Sequence, residues 1–273
     1  MPESEAYECT PRNTVNRLKQ RATYDYETVH SIINSAPVVH VSFNPTSFED
    51  DPFPTILPML GCTGSFTPPE ASETSATAVY LHGHSASRFM KLPSSPNSPH
   101  AVEGLPGVPV CVAATQMDGL VLALTPFNHS CNYRSAVVHG YAHAVTDPEE
   151  KNYALELITD SIIPSRWENS RVPPTPAEIA STGVLRVDIV SASAKIRAYG
   201  AGNDKADLAD EEMRKRVWTG VVPAYIRYGE PVPADENLVG EVPGYVGGWI
   251  KEQNEVGEKY SREVTKFKAP KKT

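Results

Sequence analysis

Residues 133–145 carry the pattern that constrains this chain most. From Val138 onward the side chains alternate: Val138, Gly140, Ala142 and Ala144 fall on one face, His139, Tyr141 and His143 on the other. A period of two is a β-strand. One face is built almost entirely of small residues, so another element is expected to pack closely against it. A strand this long needs neighbours, and the chain supplies them. Residues 38–43, 54–61, 78–81 and 184–196 read as strands; in the last, Leu185, Val187 and Ile189 face one way, Arg186 and Asp188 the other. Residues 108–116 and 120–125 read as a hairpin around Met117-Asp118-Gly119, because Asp-Gly favours a tight turn. Pro54 and Pro58 place their strand at a sheet edge or a bend.

Helical signals are few. In residues 24–36, Val29, Ile32, Ile33 and Ala36 recur at helical spacing, Asp25 or Thr23 can cap the start, and Pro37 ends the run. Asp147-Pro148-Glu149-Glu150 opens a second helix, with Leu155, Ile158 and Ile162 as its apolar stripe. Residues 64–77, 92–107 and 164–176 read as loops, the last around Trp167. Strands without alternating helices argue for an antiparallel sheet or barrel rather than a doubly wound sheet. Three parts are expected: an arm, 1–22, whose basic residues 14–21 form either a short helix or an extended wrap; one domain, 23–229; and a tail, 230–273, rich in Pro and Gly and then charged.

Composition excludes several partners. The 273 residues carry a formal net charge of -8, which argues against a nucleic-acid backbone. No apolar run approaches the ~20 residues of a membrane span, and the acidic N-terminus lacks the apolar centre of a secretory signal. Cys9, Cys62, Cys111 and Cys131 form no Cys-x-x-Cys pair, so a cytoplasmic, reduced and metal-free protein is expected. His82 and His84 stand two apart, and His139 and His143 four apart on a strand, which is not the spacing of a helical zinc site.

The segment Tyr80-Leu-His-Gly-His-Ser-Ala-Ser-Arg runs from a short strand through a turn at Gly83 toward a helix start. Ser85, Ser87 and Arg88 put two hydroxyls and a guanidinium fork where a phosphate would be held. On this segment alone an ordinary serine cap is the better reading.

Two further motifs change that balance. Asp118-Gly-Leu-Val-Leu-Ala and Asn132-Tyr-Arg-Ser-Ala-Val-Val-His-Gly-Tyr-Ala follow in the order seen in flavin-nucleotide-binding proteins. The chain resembles that family, the relatives of pyridoxamine 5'-phosphate oxidase and of the nitroimidazole-resistance reductases, over residues 21–233. The resemblance implies a mainly β, α+β fold, an antiparallel split β-barrel of about six to seven strands with a few flanking helices. It also implies FMN, bound by a homodimer at the subunit interface. Carried across, Thr55, Leu57 and Met59 would line the isoalloxazine edge, and His82, Gly83, Ser85, Ser87 and Arg88 would surround the ribityl chain and phosphate. Tyr133, Arg134 and Ser135 would close the site from the neighbouring strand. Lys195 would add an anion contact, and Trp218, in Val-Trp-Thr-Gly, would pack at the flavin. His129 is the candidate proton donor. Such a protein would pass electrons from NAD(P)H through FMN to a small organic acceptor. The other readings are an FMN-binding or storage module without turnover and a haem-handling relative of the same barrel. The oxidase's Arg-x-His element is missing, since no histidine stands two residues after Arg227, so oxidation of pyridoxamine phosphate is not expected.

Overall fold

The computed structural model describes residues 5–46, 50–67, 77–94 and 107–267. Most of the two long predicted loops, at 68–76 and 95–106, lies outside the described residues, as do 1–4 of the arm and 268–273 of the tail.

In chain order the elements are β1 (Ala22–Thr23), α1 (Tyr26–Asn34), β2 (Val39–Phe43), β3 (Thr55–Met59), β4 (Gly61–Gly64), β5 (Ala78–His84), α2 (Arg88–Lys91), β6 (Val108–Leu122), β7 (Ser130–Ala144), α3 (Pro148–Ile162), α4 (Pro176–Ser181), β8 (Thr182–Arg197), α5 (Lys205–Ala209), α6 (Glu211–Arg216), β9 (Gly220–Pro223) and α7 (Gly244–Glu263). The strands form one antiparallel sheet of order β3-β2-β6-β7-β8-β5-β4, with β1 on β8 and β9 on β6. This is the mainly β, α+β class expected, in keeping with a split barrel. The chain divides into two compact units. The first comprises Met1–Arg17, Ala22–Ala114 and Ser135–Ala194; the second comprises Leu18–Arg21, Thr115–Arg134 and Lys195–Thr273.

In the first unit the predicted caps and stripes act as read. The Asp25 carboxylate accepts the Thr28 N–H at 2.7 Å, and Val29, Ile32 and Ile33 are buried on one face of α1. Asp147 caps α3 by accepting the Glu149 N–H at 2.8 Å, with Pro148 at its first position. The buried face of α3 is nevertheless Ala154 and Ile158, while Ile162 is 48% exposed. The buried stripe is centred one residue earlier than predicted: Ala154 and Ile158 are buried in a cluster with Cys62 and Tyr80, and Leu155 packs against it partly buried. Pro58 sits on β3 at the sheet edge, where its missing N–H breaks no ladder. Ala78 to Leu81 are buried on both faces of β5. Val79 and Leu81 join a core with Val39, Val41 and Val187, and Ala78 and Tyr80 pack under α3. The small face of β7 is explained at Gly140, where a Cβ would lie 2.2 Å from the Asp188 carbonyl oxygen of β8.

Two expectations fail. There is no hairpin at Met117-Asp118-Gly119: β6 runs straight through it as one strand, and the reversal comes at the 3-10 turn Pro126–Asn128. Asp118 is instead buried beside an arginine, and Gly119 pairs with Pro223 of β9. A Cβ at Gly119 would lie 2.9 Å from the Val222 carbonyl oxygen, so this glycine serves a close strand contact rather than a turn. Gly83 is likewise inside β5, paired with Gly183, and the chain turns later, where the Ser87 N–H donates to the His84 carbonyl at 2.9 Å. The segment after residue 230 also contains α7, for which no helical signal was read. In the second unit Asn254 of α7 brackets Tyr228, accepting its N–H at 2.8 Å and donating to its carbonyl at 2.9 Å, and Trp249 packs on the Tyr228 ring.

Candidate functional site

In the first unit the site is built on the end of β5. Phe89 and Met90 anchor α2 in the core: Phe89 stacks on Phe43 with ring centroids 4.3 Å apart, and Met90 lies across Gly83 and Gly183. A Cβ at Gly83 would meet the Met90 Cε at 2.8 Å. Gly83 therefore makes room for Met90 from within its own chain. With its apolar residues turned inward, α2 must turn Arg88 outward. Arg88 and Ser87 are exposed and Ser85 is half-buried. The Ser85 N–H donates to the Ser181 carbonyl at 2.8 Å, which fixes the turn, but Ser87 makes no side-chain cap bond. Among the described residues neither serine hydroxyl nor the Arg88 guanidinium has a partner. A free guanidinium beside two free hydroxyls fits an oxyanion.

Met59 reaches the same place, its Cε 3.8 Å from where a Gly83 Cβ would stand. Thr55, Leu57 and Met59 share the half-buried face of β3, while Ile56 on the other face is 60% exposed. His82 faces a cavity of about 200 Å³ lined by Leu155, Ile158, Ile162, Trp167 and Ile179. Its Nδ1 is buried without a hydrogen-bond partner, and burial holds its pKa below the usual histidine value. The ring is thus kept neutral. The strand order puts β8 between β5 and β7, so Tyr133, Arg134 and Ser135 do not lie on the strand beside His82, contrary to expectation.

The second unit holds His129, Tyr133, Arg134, Lys195 and Trp218. Arg134 grips Asp118 with two donors, Nε to Oδ2 at 3.1 Å and Nη2 to Oδ1 at 2.8 Å, and lies 4.1 Å over the Tyr260 ring. Burial raises the Tyr260 pKa, opposed by the Arg134 charge and reinforced by that of Asp118. Arg134 is therefore locked in one orientation. His129 is exposed, and its Nδ1 accepts the Ala123 N–H at 2.9 Å. Its neutral ring must then carry the proton on Nε2. Lys195, on β8, is half-buried. Trp218 is 65% exposed and lies over Gly220, where a Cβ would come within 2.7 Å of its ring. It is not a core residue.

Two polar clusters were missed by sequence reasoning. In the first unit the buried Tyr80 hydroxyl donates to Glu150 at 2.8 Å, and Arg186, its cross-strand partner, spans Glu150 at 3.4 Å and Asp188 at 2.7 Å. Burial, then Glu150, raises the Tyr80 pKa. The acid at the third position of α3 was read only as a helix-start residue. In the second unit Arg197 and Asn132 are buried together. Among the described residues no group of three His, Cys, Asp or Glu side chains could hold a metal ion, and no helix is long and apolar enough to cross a membrane.

Comparison with known proteins agrees with the fold. The flavocytochrome Anf3 from Azotobacter vinelandii is 28% identical, with 88% of this chain and 97% of that chain covered and a TM-score of 0.67. The FAD and haem binding protein from Mycobacterium smegmatis is 25% identical, over 84% of this chain and 97% of that one, with a TM-score of 0.65. No curated protein matches. The family model for pyridoxamine 5'-phosphate oxidase matches residues 25–196, which take in β2 through β8 and every element of the β5–α2 turn, and the chain belongs to that family.

Proposed function

We propose that this chain is a flavoprotein oxidoreductase that holds FMN by its phosphate at the β5–α2 turn and passes electrons from NAD(P)H to a small organic acceptor. The observation that carries the reading is the turn itself. In a chain of this family, Ser85, Ser87 and Arg88 present two hydroxyls and a guanidinium with no partner among the described residues. A phosphate dianion needs such charge-assisted donors. The redox chemistry belongs to the flavin when bound.

The protein's own residues then bind and orient. Thr55, Leu57 and Met59 offer an edge strand whose half-buried face suits a flat apolar ring. The exposed Trp218 ring is a second such surface. Asp118 holds Arg134 in a fixed direction, and Tyr133, Ser135 and Lys195 complete the proposed set. His129, with its proton on Nε2, is the proposed donor to a reduced acceptor. We place the protein in the cytoplasm as a homodimer with the flavin at the subunit interface.

The test is the visible spectrum of the freshly purified protein, followed by mass identification of the released chromophore. FMN and its reduction by NAD(P)H in the presence of quinones or nitro compounds are expected. A colourless protein without affinity for FMN overturns the proposal. Bound FMN that NAD(P)H leaves oxidised makes it a binding or storage module. Released FAD would move the assignment to the dinucleotide.

A second reading, a haem-binding flavoprotein, is favoured by one observation. Burial holds His82 below the usual histidine pKa, its Nδ1 is unpartnered, and it lines a cavity that is apolar apart from Thr159, Glu178 and Thr182, a setting in which an imidazole can ligate haem iron. Of the two relatives above, one is a flavocytochrome and the other a FAD and haem binding protein. Reconstitution with haemin distinguishes it: a Soret band lost in His82→Ala, with flavin retained, supports haem at this cavity, and no Soret band refutes it.

A further inference from the structure

The second unit contains a concentration of positive charge that the flavin reading does not use. Arg197, at the end of β8, is 3% exposed. Its Nη1 donates to the Asn132 Oδ1 and to the Tyr199 carbonyl at 3.0 Å, and its Nη2 donates to the Gly200 carbonyl at 3.0 Å. Every one of these acceptors is uncharged. Arg21 approaches the same aromatic ring: its guanidinium carbon lies 5.2 Å from the Tyr199 centroid, and that of Arg197 lies 4.1 Å from it. Neither arginine has a carboxylate within ion-pair distance among the described residues. The acidic groups that act on Arg197 are phenols and a thiol, namely Tyr199, Tyr133 and Cys131.

Three donors in this cluster are buried and unused: Arg21 Nε, Arg197 Nε and Asn132 Nδ2. Asn132 is fully buried. A buried guanidinium without a counter-charge costs several kcal/mol, and each unmade hydrogen bond adds to that cost. Two arginines brought to one ring add mutual repulsion. The Tyr199 ring offsets part of this through its negative face, but a quadrupole does not neutralise two full charges. The group these donors lack is an anion: two Nε–H groups and an amide N–H, from three separate segments, are directional donors suited to its oxygens. Arg21 is only half-buried, so the cluster has an outer side.

We propose that Arg21, Arg197 and Asn132 form an anion-binding site for a phosphoryl group. The assignment does not depend on the flavin reading, which uses Arg88 in the other unit. The phosphoryl group has two sources, free phosphate or the phosphate of a nucleotide.

The test titrates the full chain with inorganic phosphate against sodium chloride of matched ionic strength and follows the melting temperature. A saturable rise specific to phosphate is expected. Arg21→Gln is the main variant, because Arg21 is half-buried and its loss spares the packed Arg197. It should weaken the phosphate response about tenfold or more, the loss of one charge-assisted hydrogen bond. Arg21→Lys, which keeps the charge, should fall between the two and serves if Arg21→Gln does not fold. Displacement of phosphate by FMN, read in the Arg88→Ala chain as a loss of the Arg21-dependent phosphate response, assigns the site to a nucleotide; an Arg21-dependent response that FMN leaves intact there assigns it to free phosphate. No phosphate-specific rise, or one unchanged by both Arg21 variants, overturns the site.

Discussion

Asp118→Asn is the substitution that most directly tests how the second unit holds Arg134. Asp118 is 4% exposed and takes two donors from Arg134, at 3.1 and 2.8 Å. The amide keeps the shape and one acceptor, but it removes the charge and points an N–H₂ group at a guanidinium donor. Breaking a fully buried ion pair costs about 3–5 kcal/mol. The Arg134 side chain retains 26% of its exposure, so water reaches it and relieves part of that cost. The expected loss is about 2–3 kcal/mol, from the lower end of that range. At about 2–4 °C per kcal/mol for a chain of this length, this is a fall of about 4–12 °C in the melting temperature. Trp218 and Trp249 lie in that unit and Trp167 in the first, so urea unfolding followed by tryptophan fluorescence reports on both units. Arg134→Met should cost at least as much, because it strands the more buried member of the pair. The pair with both changes should show a coupling of about 2 kcal/mol. Additivity within about 0.5 kcal/mol would mean that the two groups do not stabilise one another, and the reasoning would fail. A second outcome bears on function: if Asp118 aims Arg134 at a flavin, Asp118→Asn should also weaken flavin binding while Tyr260→Phe, which keeps the ring, leaves it unchanged.

Arg88→Ala should weaken FMN binding by about 1.5–3 kcal/mol, the value of a hydrogen bond to a charged group, measured by fluorescence quenching; an unchanged affinity removes Arg88 from the site. Gly140→Ala would drive a Cβ to 2.2 Å from the Asp188 carbonyl oxygen, which cannot rotate away, and should destabilise the first unit by about 3 kcal/mol or more in the same urea assay. Burial holds His30, His82 and His139 below the usual histidine pKa, His139 with added repulsion from Arg12. The unfolded chain then takes up protons near pH 6.5 that the folded chain refuses, so stability present above that pH is lost as the pH falls through it. The slope should stay below the ~1.4 kcal/mol per pH unit per residue ceiling, because these rings are only part-buried. His82→Asn should flatten it, and an unchanged acid limb would count against a neutral His82.

What the sequence shows and what it conceals divide along physical lines. Asp25, Asp147 and Pro148 act on backbone groups within three residues of themselves, so their helix starts were legible. The alternation around Gly140 was legible because a strand's period is local, and even the close neighbour on the small face could be expected before its identity was known. Asp118-Gly119 shows the opposite case. Turn propensity is a local preference worth little beside a buried ion pair and a strand seated on the glycine, and both partners, Arg134 and β9, are distant in sequence. Gly83 repeats the lesson, since the residue that needs its missing side chain is Met90, from a helix that sequence placed only vaguely. The candidate phosphate grip at Ser85, Ser87 and Arg88 was legible because all three sit on one turn and owe nothing to remote partners. Arg21, Asn132 and Arg197 were not, since an arginine in a strand reads as a surface cation until the fold buries it without a carboxylate. The two proposed anion sites therefore differ in how they can be found: one presented on a single turn is written in consecutive residues, while one assembled from three segments shows itself only as donors left without acceptors.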